Sequence, residues 1–299
     1  MYTEWFEILD SRFEQLILPN VHVDELYDRG RWLEGPVYVP AARHLLFSDI
    51  PNNRVLRYND CDGSISVFES PSNFSNGHTL DRQGRVISCE HFTRRVTRRE
   101  HNGQLTVIAS SYDGKRLNSP NDVIEASDGS IWFTDPSYGI STEYEGARTE
   151  SEIGSKNVYR CSPDGSLTVV LSDFIQPNGL AFSPDETTIY IVDSGAKPAK
   201  LAAFDIDNDK LTNSRILGKL DSGIYDGLRV DRHGNIWTSA PDGVHCITTD
   251  GTLIGKIRLP EVVANVEFGG VAGNRLFICA TRKLFAVYLN TVGAPKQLR

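Results

Sequence analysis

The sequence predicts an all-β fold, a six-bladed β-propeller with four antiparallel strands in each blade. Three observations support this prediction. Asp-Gly pairs occur seven times, most of them between short runs of Val, Ile, Leu, Phe, Tyr and Trp, which is typical of β-hairpins. Helical periodicity is absent after about the first 20 residues. Similar strand–turn–strand segments recur along the remainder of the chain.

Six segments share one plan: a strand, a polar turn, a second strand and then polar residues. The residues just before these segments are separated by 42, 45, 57, 48 and 41 positions. Repeats of about 40–50 residues with several strands each are typical of β-propellers, so six copies predict six blades. The residues that precede the copies are Glu34, Asn76, Asn121, Asn178, Asp226 and Glu267.

The fourth copy shows a complete blade. Its four strands are predicted at residues 179–183, 188–194, 201–206 and 214–220. The interval between the third and fourth copies is the longest, and it leaves room for an inserted loop around residues 141–157.

The sixth copy contains only about three strands before the chain ends. The segment 19–28 is predicted to supply the missing strand, which would close the ring and remove its exposed edges. We therefore expect a single propeller domain over residues 1–299. Residues 1–18 would form an N-terminal extension, and the propeller would cover about residues 19–290.

Composition and charge narrow the class of protein. The net charge of −8 disfavours a nucleic-acid partner, because phosphate binding requires a basic surface. The sequence contains no run of 18 apolar residues that would predict a membrane span, and its first residues are acidic where a signal peptide would be basic. We expect a cytoplasmic protein.

The five cysteines show no Cys-x-x-Cys spacing, which favours reduced thiols over disulfides or a zinc site.

The residues at the equivalent position of each repeat, just before its first strand, predict a metal site. The first strand of every blade lines the central channel, and all first strands run in one direction, so their starting residues meet at one end of the axis. Glycine follows four of these residues and would allow close backbone approach. Carboxylate and amide oxygens suit Ca²⁺, although Zn²⁺, Mg²⁺ and Mn²⁺ remain open. The predicted ligands are Glu34, Asn121, Asn178 and Asp226, whereas Glu267 is expected to turn away and pair elsewhere.

Further polar residues lie near the predicted end of the channel. They occupy the second copy and the stretch before the third copy, where they could bind the hydroxyl groups of a substrate. These candidates are Asn76, His78, Glu90, His91, Arg116 and Asn118. Asp193, which ends a second strand, is a further candidate for contact with groups around the metal.

Several motifs resemble the SMP-30/gluconolactonase/LRE-like family, and within it the bacterial gluconolactonase-type proteins. The resemblance runs from about residue 30 to the C-terminus and is carried by "LEGPVY", "RLNSPNDV", "WFTDPSYG", "PNGLAFSPD" and "DGLRVD". It implies a six-bladed propeller with one catalytic divalent metal, usually Ca²⁺, bound by Glu34, Asn121, Asn178 and Asp226. One departure is Tyr225, where relatives commonly carry proline.

The leading functional hypothesis is a metal-dependent hydrolase that opens a sugar lactone. The metal would act as a Lewis acid, and Asp226 would hold or deprotonate the attacking water or attack the substrate directly. One alternative is a phosphotriester or aryl-ester hydrolase similar to diisopropylfluorophosphatase and paraoxonase. The other is a non-catalytic propeller that serves as a binding platform. The sequence leaves open the particular sugar and the oligomeric state.

Overall fold

Six four-stranded antiparallel units follow one another around a ring in this computed structural model, which describes residues 4–207 and 209–294. The first strands of neighbouring blades contact one another around the channel, and those of the sixth and first blades also meet. The predicted six-bladed propeller is therefore confirmed. Residues 1–3 of the predicted extension, and residues 208 and 295–299 of the predicted domain, lie outside the described residues.

The chain begins with three short elements and then forms blades 1, 2 and 3. The first elements are β1 (Phe6–Ile8), α1 (Ser11–Glu14) and β2 (Asp24–Tyr27). Blade 1 contains β3 (Leu33–Val39), β4 (His44–Asp49), β5 (Arg54–Asn59) and β6 (Ile65–Glu69), with 3₁₀ turns at Pro40–Ala42 and Ile50–Asn52. Blade 2 contains β7 (Ser75–Leu80), β8 (Val86–Glu90), β9 (Arg95–Arg99) and β10 (Leu105–Ala109). A small hairpin of β11 (Ser111–Tyr112) and β12 (Lys115–Arg116) precedes blade 3, which contains β13 (Val123–Glu125), β14 (Ile131–Asp135), α2 (Tyr138–Ser141), β15 (Asn157–Cys161) and β16 (Leu167–Leu171).

Blades 4, 5 and 6 complete the ring. Blade 4 contains β17 (Pro177–Phe182), β18 (Thr188–Asp193), β19 (Ala199–Asp207) and β20 (Lys210–Leu220), close to the predicted strands. Blade 5 contains β21 (Leu228–Val230), β22 (Ile236–Ala240), β23 (Gly243–Ile247) and β24 (Leu253–Arg258). Blade 6 contains β25 (Val263–Gly269), β26 (Arg275–Ala280) and β27 (Lys283–Tyr288).

The N-terminal segment contributes strands to two blades. Strand β2 pairs antiparallel with β27 and supplies the outer strand of blade 6, so the predicted closure of the ring by an N-terminal strand is confirmed. Strand β1 pairs with β24 and adds a fifth strand to the outer edge of blade 5. Phe13 of α1 packs against Gly255 of β24 and holds this segment on the blade.

Several Asp-Gly pairs form the predicted turns by a common mechanism. In each, the Asp carboxylate accepts the backbone N–H two residues later, and the intervening glycine has a positive φ that favours glycine. The resulting turns connect consecutive strands of a blade. The aspartates that make this contact are Asp62, Asp128, Asp164 and Asp250.

The hydrophobic core is divided among the interfaces between blades. Six clusters of buried apolar side chains each combine residues of two neighbouring blades. Trp132 packs against Phe182 of the next blade, and Trp237 packs against Phe268 of the next blade. Burial of these faces from neighbouring blades stabilises the ring and leaves the channel ends to polar residues.

All five cysteines are free; four are buried and Cys61 is exposed. Within the described part of the chain, no helix combines the length and the apolar character required to cross a bilayer.

Candidate active site

Five residues that were selected by the repeat phase lie at or just before the first strand of their blades. Glu34, Asn76 and Asn178 are the second residues of β3, β7 and β17, whereas Asn121 and Asp226 stand two residues before β13 and β21. All five are buried. Their exposed fractions are Glu34 3%, Asn76 4%, Asn121 5%, Asn178 4% and Asp226 7%.

Two glycines show how closely neighbouring first strands approach at this end of the channel. Gly35 has a φ of +52°, and a Cβ atom there would lie 1.8 Å from the carbonyl oxygen of Asn76. A Cβ atom on Gly179 would lie 2.4 Å from the carbonyl oxygen of Asp226, which accepts the Gly179 N–H at 3.1 Å. Only glycine permits these contacts. The close approach predicted from the sequence is confirmed at both positions.

Irregular pairing accompanies the polar residues at the starts of four first strands. In each case the register with the second strand shifts within the first residues, which is the behaviour of a β-bulge. Bulges re-aim side chains, so they help to turn these polar groups toward the axis. The shifts lie between Glu34 and Val37, Ser75 and His78, Pro177 and Leu180, and Val263 and Asn265.

Blade 6 departs from the predicted phase. Strand β25 begins at Val263, so Glu267 lies inside the strand and the expectation that it precedes the strand is wrong. The backbone position that matches Asn121 and Asp226 is Ala264, whose carbonyl accepts the N–H of Gly227 at 2.7 Å. Glu267 instead accepts a 2.6 Å hydrogen bond from Arg229, as expected of a residue that turns away from the ring.

Glu34 is held by neutral donors. Its Oε2 accepts the N–H of Gly35 at 2.7 Å and the side-chain amide of Asn265 at 2.9 Å. Burial raises the pKa of Glu34 to about 8, and the negative charges of Asp122 and Glu145 also raise it. The two hydrogen bonds lower the pKa but do not outweigh burial. Among the described residues, no Lys or Arg side chain forms an ion pair with Glu34.

Asp226 and Asn178 are fixed together. Burial raises the pKa of Asp226 well above its usual range, and the charge of Glu34 adds to this effect, so the two carboxylates lie within electrostatic reach of each other. Asn178 donates to the Ser194 hydroxyl at 3.0 Å, because Ser194 itself donates to the carbonyl of Tyr225 at 2.6 Å. This orientation leaves the Asn178 carbonyl oxygen available to a cation.

The donor set fits a hard divalent cation. In the described segments, the side-chain amide of Asn121 has no hydrogen-bond partner, and neither Glu34 nor Asp226 is paired with a basic residue. Those segments also contain no group of three or more His, Cys, Asp and Glu side chains placed to bind a metal ion. Two buried carboxylates with uncharged amide oxygens are the ligands that Ca²⁺ prefers, and a bound cation would remove their mutual repulsion.

Two of the predicted substrate residues form a connected pair beside this set. His91 lies 3.0 Å through Nδ1 from the carbonyl oxygen of Glu145, so Nδ1 carries the proton. Its Nε2 then accepts from the side-chain amide of Asn76 at 3.4 Å. Burial lowers the pKa of His91 to about 4, and the ring is therefore neutral.

Two others are enclosed by hydrogen bonds, Glu90 within blade 2 and His78 between blades 1 and 2. His78 donates from Nε2 to Ser48 at 2.9 Å and accepts from Ser88 at 2.8 Å through Nδ1. Glu90 accepts from Arg95 at 2.8 Å and from two threonine hydroxyls. All the polar atoms of both side chains are thus engaged.

Arg116 and Asn118 anchor the inserted loop, which we define as residues 141–157. The side-chain amide of Asn118 donates to the carbonyl of Ser155 at 2.8 Å, and its oxygen accepts from Ser151 at 2.6 Å. The backbone N–H of Arg116 donates to Glu152 at 3.0 Å, and its guanidinium donates to the carbonyl of Thr93 at 3.2 Å. These contacts hold the inserted loop against the segment that leads to Asn121.

Two further residues near this end of the channel were not predicted from the sequence. Glu145 is half-buried, and burial raises its pKa to about 7. Tyr138, the first residue of α2, lies against Asn178 and Ser194, and burial together with the charge of Asp226 raises its pKa. Glu145 lies in the inserted loop, outside the repeats, and Tyr138 does not precede a first strand, so the spacing of the repeats could identify neither residue. The motif "WFTDPSYG", which contains Tyr138, was the one available signal.

A buried charged group lies in the channel close to these ligands, since the charge of Asp122 also acts on Glu34 and Asp226. Arg229 of β21 donates to Glu267 at 2.6 Å and lies 3.6 Å from Asp122. Because Asp122 precedes β13 and Glu267 belongs to β25, this guanidinium links blades 3, 5 and 6 across the channel. It is the charged partner of Asp122, whose carboxylate is 1% exposed.

Asp193 and Tyr225 have structural contacts. The Asp193 carboxylate accepts the backbone N–H groups of Ile175 and Gln176 at 3.1 and 2.9 Å, which fixes the turn before β17. Tyr225 is buried in the cluster between blades 4 and 5 and packs against His245.

Comparison with known proteins places this architecture in a family. The family model described as SMP-30/Gluconolactonase/LRE-like region matches residues 32–282. A gluconolactonase of Zymomonas mobilis is 33% identical, and the match covers 94% of this chain and 85% of that protein. A Xanthomonas campestris structure described as a gluconolactonase is 37% identical with a TM-score of 0.91, over 96% of this chain and 95% of its own. Chicken regucalcin is 26% identical over 84% of this chain and 83% of its own. The chain therefore belongs to the SMP-30/gluconolactonase/LRE-like family.

Proposed function

We propose that this protein is a calcium-dependent lactonase that opens a sugar lactone. The observation that carries the proposal is the placement of two buried carboxylates, Glu34 and Asp226, with Asn121 and Asn178 at one end of the channel and without a basic partner. The gluconolactonase relatives support the substrate class. The donor chemistry supports the metal.

The residues divide into those that hold the cation and one that handles a proton. Glu34, Asn121, Asn178 and Asp226 would hold the ion. When bound, the ion supplies Lewis acidity that stabilises negative charge on the lactone carbonyl oxygen in the transition state. Asp226 orients the attacking water and accepts its proton. The hydrogen bond of 2.9 Å from the Asp226 N–H to the Ser239 hydroxyl fixes the backbone that carries this carboxylate.

The polar groups around the proposed metal ligands suit a substrate that carries hydroxyl groups. The neutral His91 and the amide of Asn76 form one wall, and the inserted loop covers the side nearest to blade 2. Polar groups with unused hydrogen-bonding capacity suit a ring that carries several hydroxyl groups. Among the side chains here, the Asn121 amide and the Glu145 carboxylate have no hydrogen-bond partner in the described residues.

A substrate panel tests the proposal. The wild-type protein and D226N are assayed with aldono-1,4- and 1,5-lactones, phenyl acetate and diisopropyl fluorophosphate, and acid release is followed with a pH indicator. We expect the wild type to hydrolyse sugar lactones fastest, to lose this activity in EGTA and to regain it with CaCl₂. D226N should lose about 10²–10⁴-fold in kcat.

Other outcomes separate the alternatives. Faster turnover of diisopropyl fluorophosphate or phenyl acetate would indicate the other class of hydrolase. Absence of turnover on every substrate would favour a binding platform. Lactonase activity that is unchanged in EGTA would contradict the role of the metal.

A further inference from the structure

The inserted loop carries a carboxylate that the proposed mechanism does not use. Glu145 is half-buried, whereas its neighbour Tyr144 is 51% exposed and Gly146 is buried. The loop therefore turns Tyr144 outward and Glu145 inward. In the described residues, no donor contacts the Glu145 carboxylate, although its backbone carbonyl is held by His91 at 3.0 Å.

The position of Glu145 is tied to the candidate site by a short chain of contacts. His91 joins the Glu145 backbone to Asn76, and the carbonyl of Asn76 lies against Gly35, next to Glu34. The charge of Glu145 also contributes to the raised pKa of both Glu34 and Asp226. The Glu145 carboxylate therefore lies within electrostatic reach of two of the proposed metal ligands, Glu34 and Asp226.

The loop is built to hold this position rigidly. Gly146 packs so closely on Gly139 that a Cβ atom would lie 2.1 Å from the Gly139 carbonyl oxygen, and the N–H of Ala147 donates to that oxygen at 3.0 Å. A Cβ atom on Gly139 would in turn lie 2.4 Å from the side chain of His91. Close backbone packing directly after Glu145, together with the His91 contact to its carbonyl oxygen, leaves the residue little freedom to swing away.

We propose that Glu145 determines substrate specificity by accepting hydrogen bonds from hydroxyl groups of the lactone ring. This inference rests on the proposed lactonase function and extends it to substrate recognition. A carboxylate without a protein donor can accept two or more hydroxyl groups, and such charge-assisted hydrogen bonds are stronger than neutral ones. A ring without hydroxyl groups would leave this acceptor without a partner and gain nothing from it.

The experiment compares two lactones that differ in hydroxyl groups. Glucono-1,5-lactone and δ-valerolactone are assayed with the wild type, E145Q, E145A and E150Q at saturating CaCl₂. Glu150 is exposed in the same loop, so E150Q is the matched control. We expect E145A to lose at least about 10-fold in kcat/KM on gluconolactone and less than about 2-fold on δ-valerolactone. E145Q, which keeps one acceptor oxygen, should fall between E145A and the wild type, and E150Q should match the wild type.

Calcium binding is measured on the same variants by titration calorimetry. Unchanged calcium affinity in E145A together with a selective loss on gluconolactone supports the proposal. Equal losses on both lactones, or calcium binding weakened more than about 10-fold, would overturn it, because Glu145 would then act on the metal or the fold. If the wild type hydrolyses neither lactone, the proposed function itself fails. Binding of gluconic acid to the wild type but not to E145A would then still support this recognition role, and equal binding would refute it.

Discussion

The side-chain amide of Asn265 donates a 2.9 Å hydrogen bond to Oε2 of Glu34 and thereby joins blade 6 to blade 1 at the candidate site. Both residues are buried, and they are separated by almost the whole sequence. The contact lies where the ring closes, so it couples closure of the propeller to the position of a proposed metal ligand.

Asn265→Ala is expected to weaken both stability and calcium binding. The loss of this buried hydrogen bond should cost about 1–3 kcal/mol of unfolding free energy, because Oε2 of Glu34 loses a donor that water cannot replace. The increase in melting temperature caused by CaCl₂ should also shrink, because Glu34 loses its orienting contact. Thermal unfolding with EGTA and with CaCl₂ checks both effects.

Asn274→Ala is the matched control. It removes a side-chain donation to the carbonyl of Leu289 in the same blade but away from Glu34. It should lower stability without altering the calcium effect. A calcium effect in N265A equal to that of the wild type would contradict the orienting role.

Asp226→Asn should stabilise the protein when calcium is absent and destabilise it relative to the wild type when calcium is present. Burial and the charge of Glu34 raise the pKa of Asp226, so the folded state favours protonated Asp226. The stability of the wild type therefore falls as rising pH removes this proton from the folded protein. The advantage of D226N in EGTA should therefore grow between about pH 5 and pH 8. Melting curves over this range check the sign, and an advantage that shrinks with rising pH would contradict it.

Arg229→Met should lower the unfolding free energy by about 3–5 kcal/mol, because it leaves the buried carboxylate of Asp122 without its charged partner. Adding D122N should recover part of this loss. The comparison is a double-mutant cycle measured by denaturant unfolding.

The control is D128N, which removes an exposed ion pair with Arg160 and should combine additively with R229M. Additive behaviour of D122N with R229M would show that the two groups are not coupled.

Asn118→Ala should loosen the inserted loop. It removes the contacts to Ser155 and Ser151, so hydrogen exchange of residues 149–156 should accelerate by about tenfold or more. Asn102→Ala, in an exposed turn of blade 2, should leave this exchange unchanged. Weaker lactone binding with unchanged loop exchange would instead favour the direct substrate role that the sequence predicts for Asn118.

The repeat explains what could be predicted from the sequence. Glu34 and Asp226 precede glycines in copies of one motif, and a propeller brings equivalent positions to one end of its axis. The spacing of the repeats therefore predicts that these two residues lie close together. The start of the first strand of blade 6 was predicted wrongly because Ala264, an apolar residue, occupies the position equivalent to Asn121 and Asp226. Glu267 was therefore predicted in place of the polar residue that this blade lacks at that position.

Other features depend on contacts that spacing does not encode. Glu145 lies in the single long insertion, outside the repeat, and its inward orientation results from the packing of Gly139 and Gly146. The enclosure of His78 by two serines depends on the register between neighbouring strands and blades. For these residues the three-dimensional packing decides the role, and the sequence alone predicts only a polar side chain near the channel.

The most direct test is a crystal structure of the protein grown with CaCl₂. We expect one calcium ion within about 2.3–2.6 Å of oxygen atoms of Glu34, Asn121, Asn178 and Asp226. A calcium ion bound elsewhere, or these four side chains turned away from a common centre at saturating calcium, would contradict the account.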